Sequence, residues 1–160
     1  MIELGGVECL ALRVSFTGDL GWELHCRTED QVKLYSALLE VGKDFNAGPV
    51  GARALMSLRV EKGYGSWSRE YSPEYWPQET GLDGLIKLDK DFLHKDAYLT
   101  VKDNAPRERL SIIEVWGTPH NADATGGEPI FSAAGEGIGR VTSGTYGYSV
   151  GKSLALGYLK

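Results

Sequence analysis

A surplus of positive charge is missing from this sequence: 17 Lys and Arg stand against 22 Asp and Glu, for a net charge of −5. Nucleic-acid binding draws its affinity from clustered cations facing phosphates, so that class of partner is excluded. Long apolar runs are missing too. None approaches the ~20 residues that span a bilayer, and Glu3 and Glu8 occupy the opening stretch, where a secretory signal carries basic residues. No membrane partner is expected, and the cytoplasm is the expected compartment. Cysteine and histidine are scarce. Cys9, Cys26, His25, His94 and His120 lack the close spacing of a metal knuckle or a redox motif, so no metal is expected. The spacing leaves a disulfide between the two cysteines open, but two buried thiols are the expectation for a cytosolic chain of this size.

What is present is enough for a globular core: 42% of the 160 residues are hydrophobic and 24% charged. The pattern predicts a strand over Leu10–Phe16, a turn at Thr17-Gly18-Asp19 and a returning strand over Gly21–Cys26 that carries Glu23. Thr28-Glu-Asp-Gln31 has the form of a capping box, and Val32, Tyr35, Leu38 and Leu39 then recur at helical spacing until Gly42 offers a stop. A second helix is predicted over Ala52–Glu61, with Arg53 near its start and Arg59 near its end. Lys62–Gln78 has no period and reads as a long, partly ordered loop. A strand is predicted over Leu82–Leu88 and a short helix over Lys95–Lys102. After the break at Asn104-Ala105-Pro106, β segments are predicted at Glu108–Trp116, Pro129–Ser132, Gly137–Ser143 and Ser153–Leu159, separated by Gly-rich turns. The fold class is therefore α+β: a mixed portion over residues 1–105, then a small all-β, barrel-like domain over residues 106–160.

Three familiar site patterns fail. Gly151-Lys152-Ser153 resembles the end of a P-loop, but Tyr146 stands where the first glycine is required and a β-like run follows where a helix is needed to hold phosphate. Gly135-Glu-Gly137-Ile-Gly139 has Arg140 in place of a needed glycine and no helix after it, so it reads as a turn cluster and not as a dinucleotide site. No Gly-x-Ser-x-Gly elbow occurs with a suitable His and acid, which leaves a hydrolase triad unsupported.

A set of ordered segments carries more. Ser15-Phe-Thr-Gly-Asp-Leu-Gly-Trp-Glu23-Leu24 resembles the Tyr-Thr-Gly-Glu-x-Gly-aromatic-Glu signature of the glycine-cleavage T-protein (aminomethyltransferase) family. Gly51-Ala-Arg53-Ala-Leu-Met-Ser-Leu-Arg59-Val-Glu61 resembles its Ala-Arg-Asp-x-Leu-Arg-x-Glu helix. Pro77-Gln-Glu79-Thr-Gly-Leu82 and Phe92-Leu-His-Lys-Asp-Ala97 follow its Pro-x-Glu-x-Gly-Leu and Phe-Ile-Gly-Lys-Glu-Ala. Gly139-Arg-Val-Thr-Ser-Gly144 and Leu154-Ala-Leu-Gly-Tyr158 are similar to its Gly-x-Val-Thr-Ser-Gly and Ala-x-Gly-Tyr strands. Lys62-Gly-Tyr64-Gly-Ser-Trp67 is more like the sarcosine and dimethylglycine dehydrogenase branch, in which the module sits behind a flavin domain.

The resemblance implies a function and a set of residues. It spans nearly all of this chain but only about the last half of the family's module: residues 1–105 would be the C-terminal part of the folate-binding domain, and residues 106–160 an incomplete C-terminal barrel. In such enzymes a flavin half oxidises an N-methyl group and the T-protein-like half passes the one-carbon unit to tetrahydrofolate. This chain would carry no flavin site. A pterin presents two donors side by side and a carboxylate two acceptors, so Glu23 is expected to hold the ring; an ordinary strand Glu would simply be solvated. Arg53 matches the family's folate-contacting arginine, with Arg59 the alternative; either could instead pair with an acid such as Glu61 or face water. Phe16 stands where the family has a tyrosine, keeping an aromatic wall without its hydroxyl, or packs in a core. Gly84 replaces an aromatic wall, for which Tyr64 and Trp67 are candidate substitutes. The catalytic aspartate of the family belongs to the preceding half, so the chain is expected not to be catalytic alone. The alternative is a non-catalytic folate-binding or structural module of the same fold. Expected partners are folate, the preceding half of the module or a flavin domain, and a second copy, a partner strand or an alternative closure at exposed β edges.

Overall fold

A computed structural model describes residues 1–117 and 123–160; His120 lies outside the described residues. The chain forms two compact units, Met1–Leu58 and Arg59–Lys160.

The first unit opens with a strand that alternation did not reveal, β1 (Ile2–Leu4), followed by β2 (Val7–Leu12) and β3 (Glu23–His25) in an antiparallel sheet of order β1-β2-β3. Three residues are too few for a period of two to be read. The expected long hairpin is shorter than predicted. After Leu12 the Val14 amide donates back to the Leu12 carbonyl at 3.0 Å, so the chain turns and Phe16 falls in the connection and not on a strand. The helix α1 (Gln31–Gly42) follows a 3-10 turn over Thr28–Asp30, and the Thr28 capping box is not formed, since no side chain caps either start. Nor does Gly42 end the helix in a left-handed turn: its φ is −65°, a further 3-10 turn covers Lys43–Phe45, and Asn46 takes the left-handed conformation at φ 54°. Asn tolerates that region better than most residues, because its side chain can bond locally. Val7, Cys9 and Leu34 form the buried cluster, with Leu4, Leu24 and Cys26 packed against it.

The helix α2 (Ala52–Glu61) has the predicted bounds and carries the chain from one unit into the next. In the second unit, α3 (Pro77–Thr80) begins with proline, whose fixed φ suits a helix start, and Glu79 reaches back to the Trp76 amide at 2.9 Å. The strand expected over Leu82–Leu88 is absent; a 3-10 turn covers Asp83–Leu85, held by Leu85 and Ile86 amides donating to the Leu82 and Asp83 carbonyls. Local turn bonds after the left-handed Gly81 satisfy the backbone that a strand would have left open. A fourth helix, α4 (Lys95–Val101), matches expectation.

The four predicted β segments are strands: β4 (Arg109–Val115), β5 (Pro129–Phe131), β6 (Gly137–Gly147) and β7 (Lys152–Leu159). They form an open antiparallel sheet of order β4-β7-β6-β5. Gly151 closes the turn from β6 into β7, its amide donating to the Gly147 carbonyl at 2.8 Å, and Lys152-Ser153 open β7. The turn cluster at Gly135 joins β5 to β6. Val60, Leu154 and Leu156 are the buried cluster here, with Leu110 against them. Two glycines of the Gly139–Gly144 motif are set by close backbone approach. A Cβ on Gly139 would stand 2.1 Å from the Tyr158 carbonyl oxygen, and one on Gly144 would stand 2.2 Å from that of Ala124. Between them the register shifts: Val141 pairs with Gly157 and Ser143 with Leu156, so Thr142 is an extra residue, a β-bulge.

Candidate functional site

The residues singled out by sequence divide between the units. Phe16, Glu23 and Arg53 belong to the first; Arg59 and Tyr64 belong to the second.

Glu23 begins β3 opposite Leu12. Its side chain is 56% exposed, and its one hydrogen-bonded neighbour among the described residues is His25, whose Nε2 lies 3.3 Å from Oε2. The other carboxylate oxygen is therefore open to a donor from outside. Arg53, in the first turn of α2, is exposed and makes no hydrogen bond or ion pair among the described residues. Phe16 is exposed in its loop. Among the described residues no side-chain hydrogen bond or ion pair joins these three to one another. Two clefts of the first unit, of about 430 and 330 Å³, are lined instead by residues around His25 and Cys26.

Arg59 behaves differently from Arg53. Six positions on a helix turn the side chain by about 600°, leaving the two roughly 120° apart around the axis. Arg59 is 1% exposed. Its Nη1 donates to the Tyr64 carbonyl at 2.9 Å and to Glu70 Oε2 at 3.2 Å, and its Nη2 donates to Ser143 Oγ at 2.7 Å. The ion-pair partner is thus Glu70 in the loop, and Tyr64 meets the arginine through its backbone while its ring is exposed. Trp67 is exposed as well, and an isolated bridge pairs it with Tyr71.

Glu70, wholly buried, is the residue that sequence reasoning missed. Ser143 Oγ and Thr142 Oγ1 donate to its Oε1 at 2.6 and 2.7 Å, and the Ser66 amide donates to Oε2 at 2.8 Å. Neighbouring residues of a regular strand point to opposite faces; the bulge at Thr142 is what brings two consecutive hydroxyls to one oxygen. Burial alone would raise the Glu70 pKa, but the bonds from Ser143, Ser66 and Thr142, with the Arg59 charge, outweigh it and hold the carboxyl below its usual range. The buried Tyr158 hydroxyl donates to the Glu70 carbonyl at 2.8 Å, and its ring stacks on Tyr75 with centroids 3.6 Å apart. One signal for Glu70 was available: a buried arginine requires a carboxylate, and the loop after α2 supplies one.

A second buried acid, Glu79, receives Arg107 through Nε at 2.8 Å and Nη2 at 2.7 Å, together with the Arg107 amide at 3.1 Å. The Arg107 fork lowers the Glu79 pKa to about 2 against the opposing effect of burial, with the Trp76 and Arg107 amides adding to the arginine. Beside it, Glu74, Tyr75, Arg107, Glu108 and Lys160 line a cleft of about 420 Å³. Among the described residues no group of three or more His, Cys, Asp or Glu forms a metal ligand set, and no helix is long and apolar enough to cross a membrane. Glu70 and Glu79 are committed to holding the chain; Glu23 and Arg53 are not.

Comparison with known proteins identifies the family to which this fold belongs. Residues 1–90 match the family profile described as the GCVT N-terminal domain, and residues 109–160 match the glycine cleavage T-protein C-terminal barrel domain. The chain is 37% identical to the mitochondrial dimethylglycine dehydrogenase of Mus musculus over 158 residues, which are 98% of this chain and 18% of that protein. It is 35% identical to an aminomethyltransferase of Geobacillus sp. (strain WCH70), over 99% of this chain and 43% of that protein. The crystal structure of the glycine cleavage system aminomethyltransferase T from Bartonella henselae superposes with a TM-score of 0.79 at 25% identity, covering 93% of this chain and 41% of that one. The chain thus spans less than half the length of these relatives. The motif residues Arg59, Thr142, Ser143 and Tyr158, which converge on Glu70, sit within a fold shared with these proteins, and the chain belongs to the glycine cleavage T-protein family.

Proposed function

We propose that this chain is the tetrahydrofolate-binding portion of a one-carbon (aminomethyl or methylene) transferase module of the sarcosine or dimethylglycine dehydrogenase type, and that it does not catalyse transfer alone. The observation that carries the reading is the contrast between the carboxylates. Glu70 and Glu79 are saturated by internal donors, whereas Glu23 projects from β3 with one oxygen open. A carboxylate on a fixed strand can accept the adjacent donors of a pterin in a two-pronged, charge-assisted bond. Arg53 offers a guanidinium for a carboxylate or carbonyl of the same ligand. Phe16 and Tyr64 are proposed as aromatic walls; Arg59, on α2, is proposed to act by holding the loop that carries Tyr64 and Glu70, to which it donates. Residues 1–105 form the proposed folate-binding part and residues 106–160 the barrel part. The proposed partners are folate, the rest of the module or a flavin domain, and a second copy at an exposed β edge; the proposed compartment is the cytoplasm.

The test is calorimetric titration of the chain with tetrahydrofolate, in parallel with Glu23→Gln. A bidentate bond to a charged group contributes about 1.5–3 kcal/mol, so Gln should weaken binding roughly tenfold to a hundredfold. Equal affinity of the two proteins would end the assignment of Glu23. Absence of binding by both would support the alternative, a structural module of the same fold. Transfer of a one-carbon unit by the chain alone would overturn the non-catalytic part of the proposal.

A further inference from the structure

The chain's two thiols both lie in the first unit, at or against its buried cluster. On the ladder between β2 and β3, Leu12 faces Glu23, Ala11 faces Leu24 and Leu10 faces His25. Continued one step beyond the end of β3, the same register would set Cys9 opposite Cys26. Directly opposed residues share a face of the sheet, with Cα atoms about 4.5–5.5 Å apart, inside the ~4.4–6.8 Å that a disulfide spans. Packing agrees with the register, because Cys26 lies against the buried cluster that contains Cys9. Both are free thiols, and they differ in access. Cys9 is wholly buried, with its thiol directed at the Val7 carbonyl at 3.5 Å. Cys26 lines both clefts of this unit, one of them beside His25 and Arg27.

We propose that Cys9 and Cys26 are a modification site, a dithiol that closes into an interstrand disulfide by exchange with a low-molecular-weight disulfide. The Cys26 thiolate attacks one sulfur of the reagent, forming a mixed disulfide and releasing one reagent thiolate. Cys9 then attacks the Cys26 sulfur, the protein S–S bond forms, and the second reagent thiolate leaves. The two cysteines together lose two electrons and two protons; the reagent disulfide gains the electrons, and its thiolates take up the protons. Accessibility orders the steps. Burial pushes the Cys9 thiol up, and Cys26, Asp30 and Glu8 push in the same direction, so Cys9 stays protonated and unreactive toward the bulk. The bond would enclose Leu10 to His25, including Phe16 and Glu23, but the chemistry does not depend on whether folate binds.

The experiment treats the whole chain with glutathione disulfide and follows intact mass and thiol content. The expected product has lost two hydrogens, retains no glutathione and titrates no thiols. Cys9→Ser should keep one glutathione on Cys26, and Cys26→Ser, changed at the more exposed site, should leave the Cys9 thiol unreacted without denaturant. Closing a loop of this length should raise the melting midpoint by roughly 5 °C, reversed by dithiothreitol. Glutathione retained on Cys26 of the unmutated chain with Cys9 still reduced, cross-linking between chains through Cys26, or no reaction at all would each overturn the proposal.

Discussion

The two units solve the same problem by different means. The first holds together three short strands and α1 around a cluster of Val7, Cys9 and Leu34, and it leaves Leu20, Trp22, Val32, Val41 and Phe45 exposed. The second adds to its apolar cluster two buried carboxylates, each surrounded by directed donors. Apolar contacts are tolerant of exchange, whereas a buried ion pair fails when one member is removed. The polar unit should therefore be the brittle one and the apolar unit the forgiving one.

The hardest test of that contrast is Glu70→Ala, which leaves Arg59 charged and enclosed. It should destabilise the second unit by about 4 kcal/mol in urea unfolding. Glu23→Ala, the same change on the exposed β3, should stay within about 0.5 kcal/mol. Similar losses from both would erase the distinction. An intermediate effect is expected at the second carboxylate. Glu79 titrates at about 2 when folded, against an ordinary 4.5, so the unfolded chain takes up its proton first as the pH falls. The stability linked to Glu79 is whole above about pH 4.5 and is lost progressively down to about pH 2. The 62%-exposed Arg107 is the lever: Arg107→Ala should cost about 2 kcal/mol at neutral pH. It should also flatten the acid dependence between about pH 4.5 and pH 2, because the group that depresses the Glu79 titration is gone. An unchanged acid profile would show that the arginine is not its cause. The smallest effect is assigned to Thr142→Val, which keeps the bulge and volume but removes one of the two hydroxyl donors to Glu70 Oε1. A loss of about 1 kcal/mol, measured by thermal or urea unfolding, is expected.

The parts of the fold legible in the sequence are those governed by neighbours along the chain. α2 has the bounds that its pattern predicts, Ala52–Glu61, and β4 to β7 are parted by turn glycines. Where local rules competed, the reading failed: Thr28 suggested a cap that a 3-10 turn replaced, and Leu82–Leu88 suggested a strand that turn bonds after Gly81 consumed. The carboxylate network was hidden for a stronger reason. Arg59 and Ser143 are 84 positions apart, and Glu70 and Tyr158 are 88 apart, so no periodicity links them. The motif names Arg59 and offers Glu61 on the same helix as a partner, but the carboxylate that Arg59 meets is Glu70, in the loop. Glu23 and Arg53 were visible as motif positions, but their accessibility was not, because exposure depends on what the fold leaves uncovered.

The extra residue in β6 carries a last consequence for anyone counting along that strand. Val141 and Ser143 are two apart and by simple alternation belong together, yet their partners Gly157 and Leu156 are adjacent. Burial nonetheless keeps its parity, with Val141, Ser143 and Gly147 buried and Arg140 and Tyr146 exposed, so the strand absorbs its additional residue as a slip of one rung against β7 and not as a change of face.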